Sequence, residues 1–239
     1  MRLADDFLRR SRLDDPGRHL INLFVRRAAA ALPPGSRVLD AGAGECAYRE
    51  LFAACRYVAV DAGVGSGAWH YGNLDAIAAL ERLPFASAAF EAVLCTQVLE
   101  HVELPGEVVA ELGRVLAPSG RLLLTAPMAQ GEHQAPHDYF RYTSFGLRSL
   151  LTRAGFREIA IAPLGGMFTR LAYELPRILW VVPGSGLRRG RVTLRGLVLL
   201  PVRAILFPLV RILQALLLLA DRLDVVRDHP LGWSVVAKR

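Results

Sequence analysis

The feature that most constrains the fold is a series of short apolar segments alternating with helix-length ones. Residues 37–41, 57–61, 92–96 and 121–126 are each brief and nearly continuous in Val, Leu, Ala and Cys. Strands buried on both faces show that pattern, whereas strands with one wet face alternate apolar and polar residues. Residues 45–54 and about 105–116 fill two of the gaps and read as helices. Strand, helix and strand at this spacing imply a parallel sheet covered on both sides. Residues 143–154 then read as a helix, 155–162 as a strand and 232–239 as the last strand. At the other end, residues 3–31 read as helical, interrupted by Pro16-Gly17 and stopped by Pro33-Pro34-Gly35. A chain of 239 residues holds one such domain and a modest addition.

The addition lies before the last strand. From Leu175 to Ala220 there is no acidic residue but seven arginines, Arg177, Arg188, Arg189, Arg191, Arg195, Arg203 and Arg211; without them the remaining 22 basic residues equal the 22 acidic ones. Residues 171–183 and 194–219 are predominantly apolar, and much of the 53% hydrophobic content is concentrated there. The second stretch approaches the ~20 residues of a membrane span. Arg203 and Arg211 at mid-membrane, and Pro201 and Pro208 within a helix, argue against a simple span. An arginine-rich apolar insert instead suits a monotopic element lying on anionic headgroups; a contact with a second subunit is the alternative. The expected organisation is an N-terminal helical segment (1–35), a catalytic domain (36–166 plus 229–239) and a hydrophobic insert (167–228). The first residues carry charges and no apolar signal core. With Cys46, Cys55 and Cys95 reading as reduced thiols, this points to the cytoplasm, peripheral at the inner face of the membrane.

Asp40-Ala-Gly42-Ala-Gly44-Glu-Cys-Ala47 turns from strand toward helix, and its glycines let backbone approach a ligand where a Cβ would clash. The loop also fits a dinucleotide pattern, with Asp61 suitably placed for ribose hydroxyls, so a dehydrogenase is one reading. Against it, a carboxylate at Asp40 suits the ammonium of an amino-acid cofactor and repels a pyrophosphate.

The chain resembles the class I S-adenosylmethionine-dependent methyltransferases, especially bacterial ubiquinone-pathway and polysaccharide-cluster enzymes. The resemblance runs in order through Val38-Leu-Asp-Ala-Gly-Ala-Gly44, Asp61, Leu83-Pro-Phe85, Ala89-Phe-Glu-Ala-Val-Leu-Cys95, Val98-Leu-Glu-His-Val102, Arg114-Val-Leu-Ala-Pro118 and Gly120-Arg-Leu-Leu-Leu-Thr-Ala-Pro127. It implies an α/β, Rossmann-like doubly wound fold: a mostly parallel seven-stranded sheet with an antiparallel last strand and the hydrophobic helical insert before it. It also implies S-adenosyl-L-methionine as cofactor. The methionine part would lie near Asp40, Ala41, Gly42, Gly44 and Gln97, the ribose on Asp61, and the adenine near Ala62, Leu80 and Glu81. Three positions depart from the pattern. Cys46 replaces the usual third glycine, Glu91 the usual aspartate, and Ala79 an aspartate that often meets the adenine. These departures keep a membrane-docked, non-catalytic binding subunit as the alternative function.

On the acceptor side, His101 has a near-neutral pKa suited to a general base, with helix capping or loop orientation, together with Glu100, as its structural role. His133, His137, Asp138, Tyr139, Arg141 and Tyr142 crowd the loop after residues 121–126, at the carboxyl edge where ligands bind. Similar saccharide-cluster enzymes carry a Pro-His-Asp-Tyr-x-Arg-Tyr run. His101, His137 and Asp138 are the catalytic candidates; His133, Tyr139, Arg141 and Tyr142 are expected to meet the acceptor, a small molecule or a lipid-linked one. A lid whose polar groups bond one another explains half of them equally well. No metal is expected, because Pro136 prevents the helix that would pair His133 with His137. Gly63-Val-Gly-Ser-Gly67 lacks the lysine of a phosphate loop, and Trp69 and Tyr71 are expected in the core, with stacking on an adenine as the alternative. Nucleic acid is not expected as a partner, since the arginines alternate with leucine and valine.

Overall fold

The computed structural model describes residues 11–65, 69–181 and 200–239. Its seven strands are β1 (Arg37–Ala41), β2 (Arg56–Asp61), β3 (Ala76–Ile77), β4 (Phe90–Thr96), β5 (Leu116–Pro127), β6 (Arg157–Leu164) and β7 (Gly232–Lys238), ordered β3-β2-β1-β4-β5-β7-β6. β3, β2, β1, β4 and β5 pair in parallel, and β7 lies antiparallel between β5 and β6. This is the Rossmann-like arrangement expected, with the last strand reversed and a helical insert before it. The described helices are α1 (Pro16–Ala30), α2 (Pro105–Val115), α3 (Ser144–Arg153), α4 (Met167–Glu174), α5 (Ile178–Val181) and α6 (Leu200–Ala220).

Side-chain alternation divides the core in two. Val93 and Cys95 of β4 and Leu122 and Leu124 of β5 face a layer containing Val108, Leu112, Leu147 and Leu151 from α2 and α3. Ala92, Leu94 and Leu123, one residue out of phase, face Ile21 and Val25 of α1 together with Tyr48 and Phe52. Each strand is thus apolar on both sides, which explains the continuous runs. Pro16 starts α1, and the Asp15 carboxylate caps it by accepting from the Arg18 amide at 2.9 Å.

Two local expectations are corrected. Residues 45–54 form turns and a short 3-10 helix, Arg49–Phe52, in place of an α-helix. Cys46 has φ 59°, in the left-handed region, so a right-handed helix cannot run through it. The two-residue β3 gives too short a run to register as a strand in the sequence. Glu91 departs from the family pattern but has a partner: its carboxylate accepts from the amide and guanidinium of Arg37, tying β4 to β1.

The described part of the insert folds against itself and the N-terminal segment. The Asp221 carboxylate, just after α6, accepts from the amides of Gly166 and Thr169, and Asp224 accepts from Met167. Residues more than fifty positions away therefore cap the start of α4. Along α6, Val210, Gln214 and Leu218 are buried; the Gln214 amide donates to the Ala172 carbonyl, and Arg211 bonds the Leu13 carbonyl and Asp14. Arg211 is thus paired with protein. The opposite face exposes Ile205, Phe207, Leu209, Ile212, Leu216 and Leu219. Within residues 201–223 an 18-residue stretch has mean hydropathy 2.0, long and apolar enough on those grounds to cross a membrane, yet one face is bound to α4 and to residues 13–14. Arg188, Arg189, Arg191 and Arg195 lie outside the described residues.

Candidate active site

The strand order reverses between β1 and β4, and at the carboxyl edge there a cavity of about 420 Å³ opens. Ligands collect at such a switch point because the loops on either side diverge. Gly42, Asp61, Ala62, Leu80, Glu81 and Gln97 line one part of it, and His101, Glu103, His137 and Tyr139 another.

Gly42 and Gly44 adopt φ of 82° and 52°. A Cβ on Gly42 would meet Val98 at 2.3 Å, and one on Gly44 would meet the Trp69 ring at 2.5 Å, so both conformation and space demand glycine. Cys46, where the family pattern has a third glycine, holds a left-handed backbone of φ 59°, with its thiol 3.4 Å from the Asn73 carbonyl. Asp61 ends β2 inside the cavity. One of its oxygens accepts from the Gly44 amide at 2.9 Å and the other from Gly63 at 2.8 Å, which fixes the carboxylate in place. Gln97, φ 55°, ends β4 and is held by its amide to the Thr125 carbonyl and by its side chain to the Thr125 hydroxyl. Asp40 and Ala41 do not line the cavity. Asp40 is buried beneath the loop, one oxygen taken by the Tyr57 hydroxyl and the other without a partner; burial pushes its pKa up to about 7. Trp69 was expected in the core, but it is 38% exposed and lies on the cavity wall beside Tyr71. Glycine leaves no side chain to bury it, and its neighbour Tyr71 is used to accept from the Gly65 amide.

The loop of residues 128–143 divides the acceptor candidates. His137 and Tyr139 reach the cavity. Asp138, expected as catalytic, instead receives two bonds from Arg141 at 2.7 and 2.8 Å and one from the His133 amide. The Arg141 guanidinium holds its pKa well below the ordinary carboxylate range, so it is a poor base. Arg141 spends its remaining donors on the carbonyls of Gln130, Gly131 and Phe140, and neither member of the pair lines the cavity. Tyr142 is buried and donates to the Leu99 carbonyl at 2.7 Å. These three residues build the loop and are corrected as acceptor contacts. His133 stacks edge-on against His101, centroids 4.7 Å apart. Sequence reasoning missed Glu103, which accepts from Tyr139 at 2.9 Å, and gave Glu100, buried behind His101, only a capping or loop-orienting role. Val98-Leu-Glu-His-Val102 contained the signal for Glu100: a carboxylate within a short, otherwise mostly apolar run soon after a buried strand.

Comparison with known proteins agrees with this geometry. Residues 39–124 match the family described as a methyltransferase domain. A demethylmenaquinone methyltransferase from Renibacterium salmoninarum is 35% identical over 102 residues, 40% of this chain and 43% of that protein. The chain thus matches less than half the length of that relative. Among solved structures, an S-adenosylmethionine-dependent methyltransferase from Archaeoglobus fulgidus superposes with a TM-score of 0.57 at 17% identity, covering 99% of this chain and 98% of that one. Phosphoethanolamine N-methyltransferase 2 from Haemonchus contortus, in complex with S-adenosyl-L-methionine, gives 0.55 at 15% identity, covering 99% and 56%. Residues 39–124 thus carry a methyltransferase domain, and the ordered sequence motifs and the strand order are those that the resemblance to class I S-adenosylmethionine-dependent enzymes implies.

Proposed function

We propose that the chain transfers the methyl group of S-adenosyl-L-methionine to a small-molecule or lipid-linked acceptor while lying against an anionic membrane surface on the cytoplasmic side. The observation that carries this reading is one cavity with a glycine-and-carboxylate end and an imidazole end. Asp61 fits the ribose hydroxyls, Leu80 and Glu81 fit the adenine, and the unpartnered oxygen of buried Asp40 fits the field of an ammonium above Gly42 and Gly44. The cofactor supplies an activated methyl group, so the chain's task is chiefly alignment and proton removal.

His137 is the base best placed for an acceptor proton. The Tyr139 hydroxyl gives its hydrogen to Glu103, so its oxygen accepts from His137 Nδ1–H at 3.2 Å. Nε2 is left with the lone pair, and the His137-Tyr139-Glu103 chain steadies the imidazolium formed on taking a proton. An acceptor oxygen, nitrogen or carbon aligned on the methyl group would pass its proton to Nε2 as it is methylated.

Two observations support the membrane reading. The insert leaves the sheet after Leu164 and returns at Gly232, which pairs with Leu164 and Pro127; this is the edge on which the cavity opens. The acid-free arginine-rich stretch and the exposed face of α6 supply headgroup attraction and apolar contact together. The curated relative's name indicates a small-molecule quinone acceptor, which suits a site fed from a membrane edge. Calorimetry with S-adenosyl-L-methionine tests the first step: saturable one-to-one binding that Asp61→Ala weakens is expected. No detectable affinity would leave the non-catalytic binding subunit as the better reading.

A further inference from the structure

We infer that Glu100, His101 and His133 form a site for one divalent transition-metal ion of the zinc class, beside the acceptor end of the cavity. One ligand atom from each residue lies within 4.8 Å of the other two. They come from the 3-10 turn after β4, Leu99–His101, and from the polar loop after β5, so the fold creates a cluster that spacing along the chain conceals.

The protonation pattern is what points to a cation. His101 Nδ1 lies 2.6 Å from the His137 carbonyl oxygen. A carbonyl only accepts, so Nδ1 carries the hydrogen and Nε2 the lone pair. His133 Nδ1 lies 3.1 Å from the Gly131 carbonyl, which assigns its tautomer in the same way. Metal-bound histidines commonly have this arrangement, one nitrogen donating to a carbonyl while the other faces the ion. Here His101 Nε2 is buried without a partner.

Glu100 is 0% exposed, and neither of its carboxylate oxygens has a hydrogen-bond partner; its closest approach to the His101 Nε2 atom is 3.9 Å. The unpartnered electron pairs of Glu100 and His101 Nε2 therefore meet at a buried point, with His133 on its partly exposed side. A carboxylate so placed is expensive without a compensating cation. A proton on Glu100 does not complete the arrangement, because 3.9 Å to His101 Nε2 exceeds hydrogen-bond length. Two imidazoles and one carboxylate constitute a common ligand set for zinc and related ions, and they leave coordination positions open. Bonds of about 2.0–2.2 Å require the ligand atoms to draw closer than they lie here, a motion that falls to the partly exposed His133. His101 also lines the cavity, so the ion site adjoins its acceptor end.

The site is independent of methyl transfer, and its test reads the metal alone. Chelator-treated full-length protein is titrated with Zn²⁺ by calorimetry and with Co²⁺ by visible absorption. One ion per chain is expected, with the ligand-field bands of a low-symmetry nitrogen and oxygen site for Co²⁺ and much weaker Mg²⁺ binding. His133→Ala and Glu100→Gln should each weaken Zn²⁺ affinity at least tenfold and abolish the Co²⁺ bands, while His229→Ala, exposed and outside the cluster, changes neither. Circular dichroism confirms that each variant is folded, and the partial exposure of His133 keeps that substitution informative if Glu100→Gln is not. Wild type without Co²⁺ bands, or binding Zn²⁺ no more tightly than His133→Ala, overturns the proposal whether or not the chain binds S-adenosyl-L-methionine.

Discussion

The carboxyl edge of the sheet and helix α6 leave opposite kinds of group unpaired. At the edge the orphans are polar: one oxygen of Asp40, both oxygens of Glu100 and Nε2 of His101. On α6 they are apolar: Ile205, Phe207, Ile212, Leu216 and Leu219 stand in the open while Gln214 is buried and bonded. An unmatched buried polar atom costs about 1–3 kcal/mol and is relieved by a small partner with directional or charged groups. Unmatched apolar surface is relieved by area, without direction. One chain therefore presents a demand for compact charged ligands at its sheet edge and a demand for an extended apolar phase on its insert. Substitutions in the two regions should fail in correspondingly different ways.

The largest effect is expected at the edge, where backbone and packing are both committed. Gly42→Val places a Cβ 2.3 Å from Val98 on a residue at φ 82°, combining overpacking with left-handed strain. Each costs about 1–3 kcal/mol. Chemical denaturation should therefore show a loss of a few kcal/mol, and cofactor binding should disappear from calorimetry. Retained affinity would show that the ligand does not approach this loop. Next is His137→Phe, which keeps a ring but removes the base. Turnover should fall about a hundredfold with cofactor affinity unchanged; a rate within about threefold of wild type would mean that alignment alone suffices.

Asp61→Ala comes third. It removes the carboxylate that both lines the cavity and accepts from the Gly44 and Gly63 amides, and cofactor affinity should fall about ten- to a hundredfold, or roughly 1.4–2.7 kcal/mol. Asp61→Asn keeps one acceptor oxygen and should fall between the two. Asp40 gives a subtler effect, read by pH. Its native carboxyl keeps its proton to about pH 7, whereas the unfolded chain releases it near the ordinary value of about 3.9. Between those values the unfolded state binds fewer protons, so this group makes stability fall as pH rises. Asp40→Asn should flatten that slope in urea titrations across the window. An unchanged slope would show that the buried carboxyl is not what titrates.

The sheet was legible because its determinants are local and repeated: continuous apolar runs, punctuating glycines and prolines, and a carboxylate closing β2. What remained hidden depended on contacts across the chain. No feature near Gly166 announces that Asp221 and Asp224 cap α4, and nothing in Asp138 reveals that Arg141 consumes it, although both lie in one short polar run. Polar residues in that run divided by burial: His137 and Tyr139 turned toward the cavity, while Tyr142 turned inward to Leu99. The failure at residues 45–54 had a local cause, since a cysteine at φ 59° is not distinguishable by residue type from one in a helix. Glu100 was hidden for a different reason: its chemistry depends on what it lacks, which only the packed structure shows.

The smallest effect on the fold is expected from α6, and it is the most informative for the comparison. Ile205, Ile212 and Leu216 are 65%, 58% and 56% exposed, so replacing all three with serine deletes little that the folded chain has buried, and exposed substitutions each usually change stability by less than about 0.5 kcal/mol. Gln214→Leu, one turn away, should cost more, because it strands the Ala172 carbonyl and removes a partner of Arg211. Co-sedimentation with vesicles containing anionic lipid should rank the variants in the reverse order. The triple serine variant should stay in the supernatant while Gln214→Leu, if folded, sediments with wild type. Changing Arg188, Arg189 and Arg191 to glutamate should weaken binding in proportion to the headgroup charge, and raised salt should reproduce that loss in wild type, since the electrostatic part is screened and the apolar part is not. If wild type and the triple variant partition equally, the exposed face serves another partner. Sedimentation velocity then decides for a second copy of the chain: a dimer in wild type that the triple variant abolishes would make the apolar demand of α6 one between subunits.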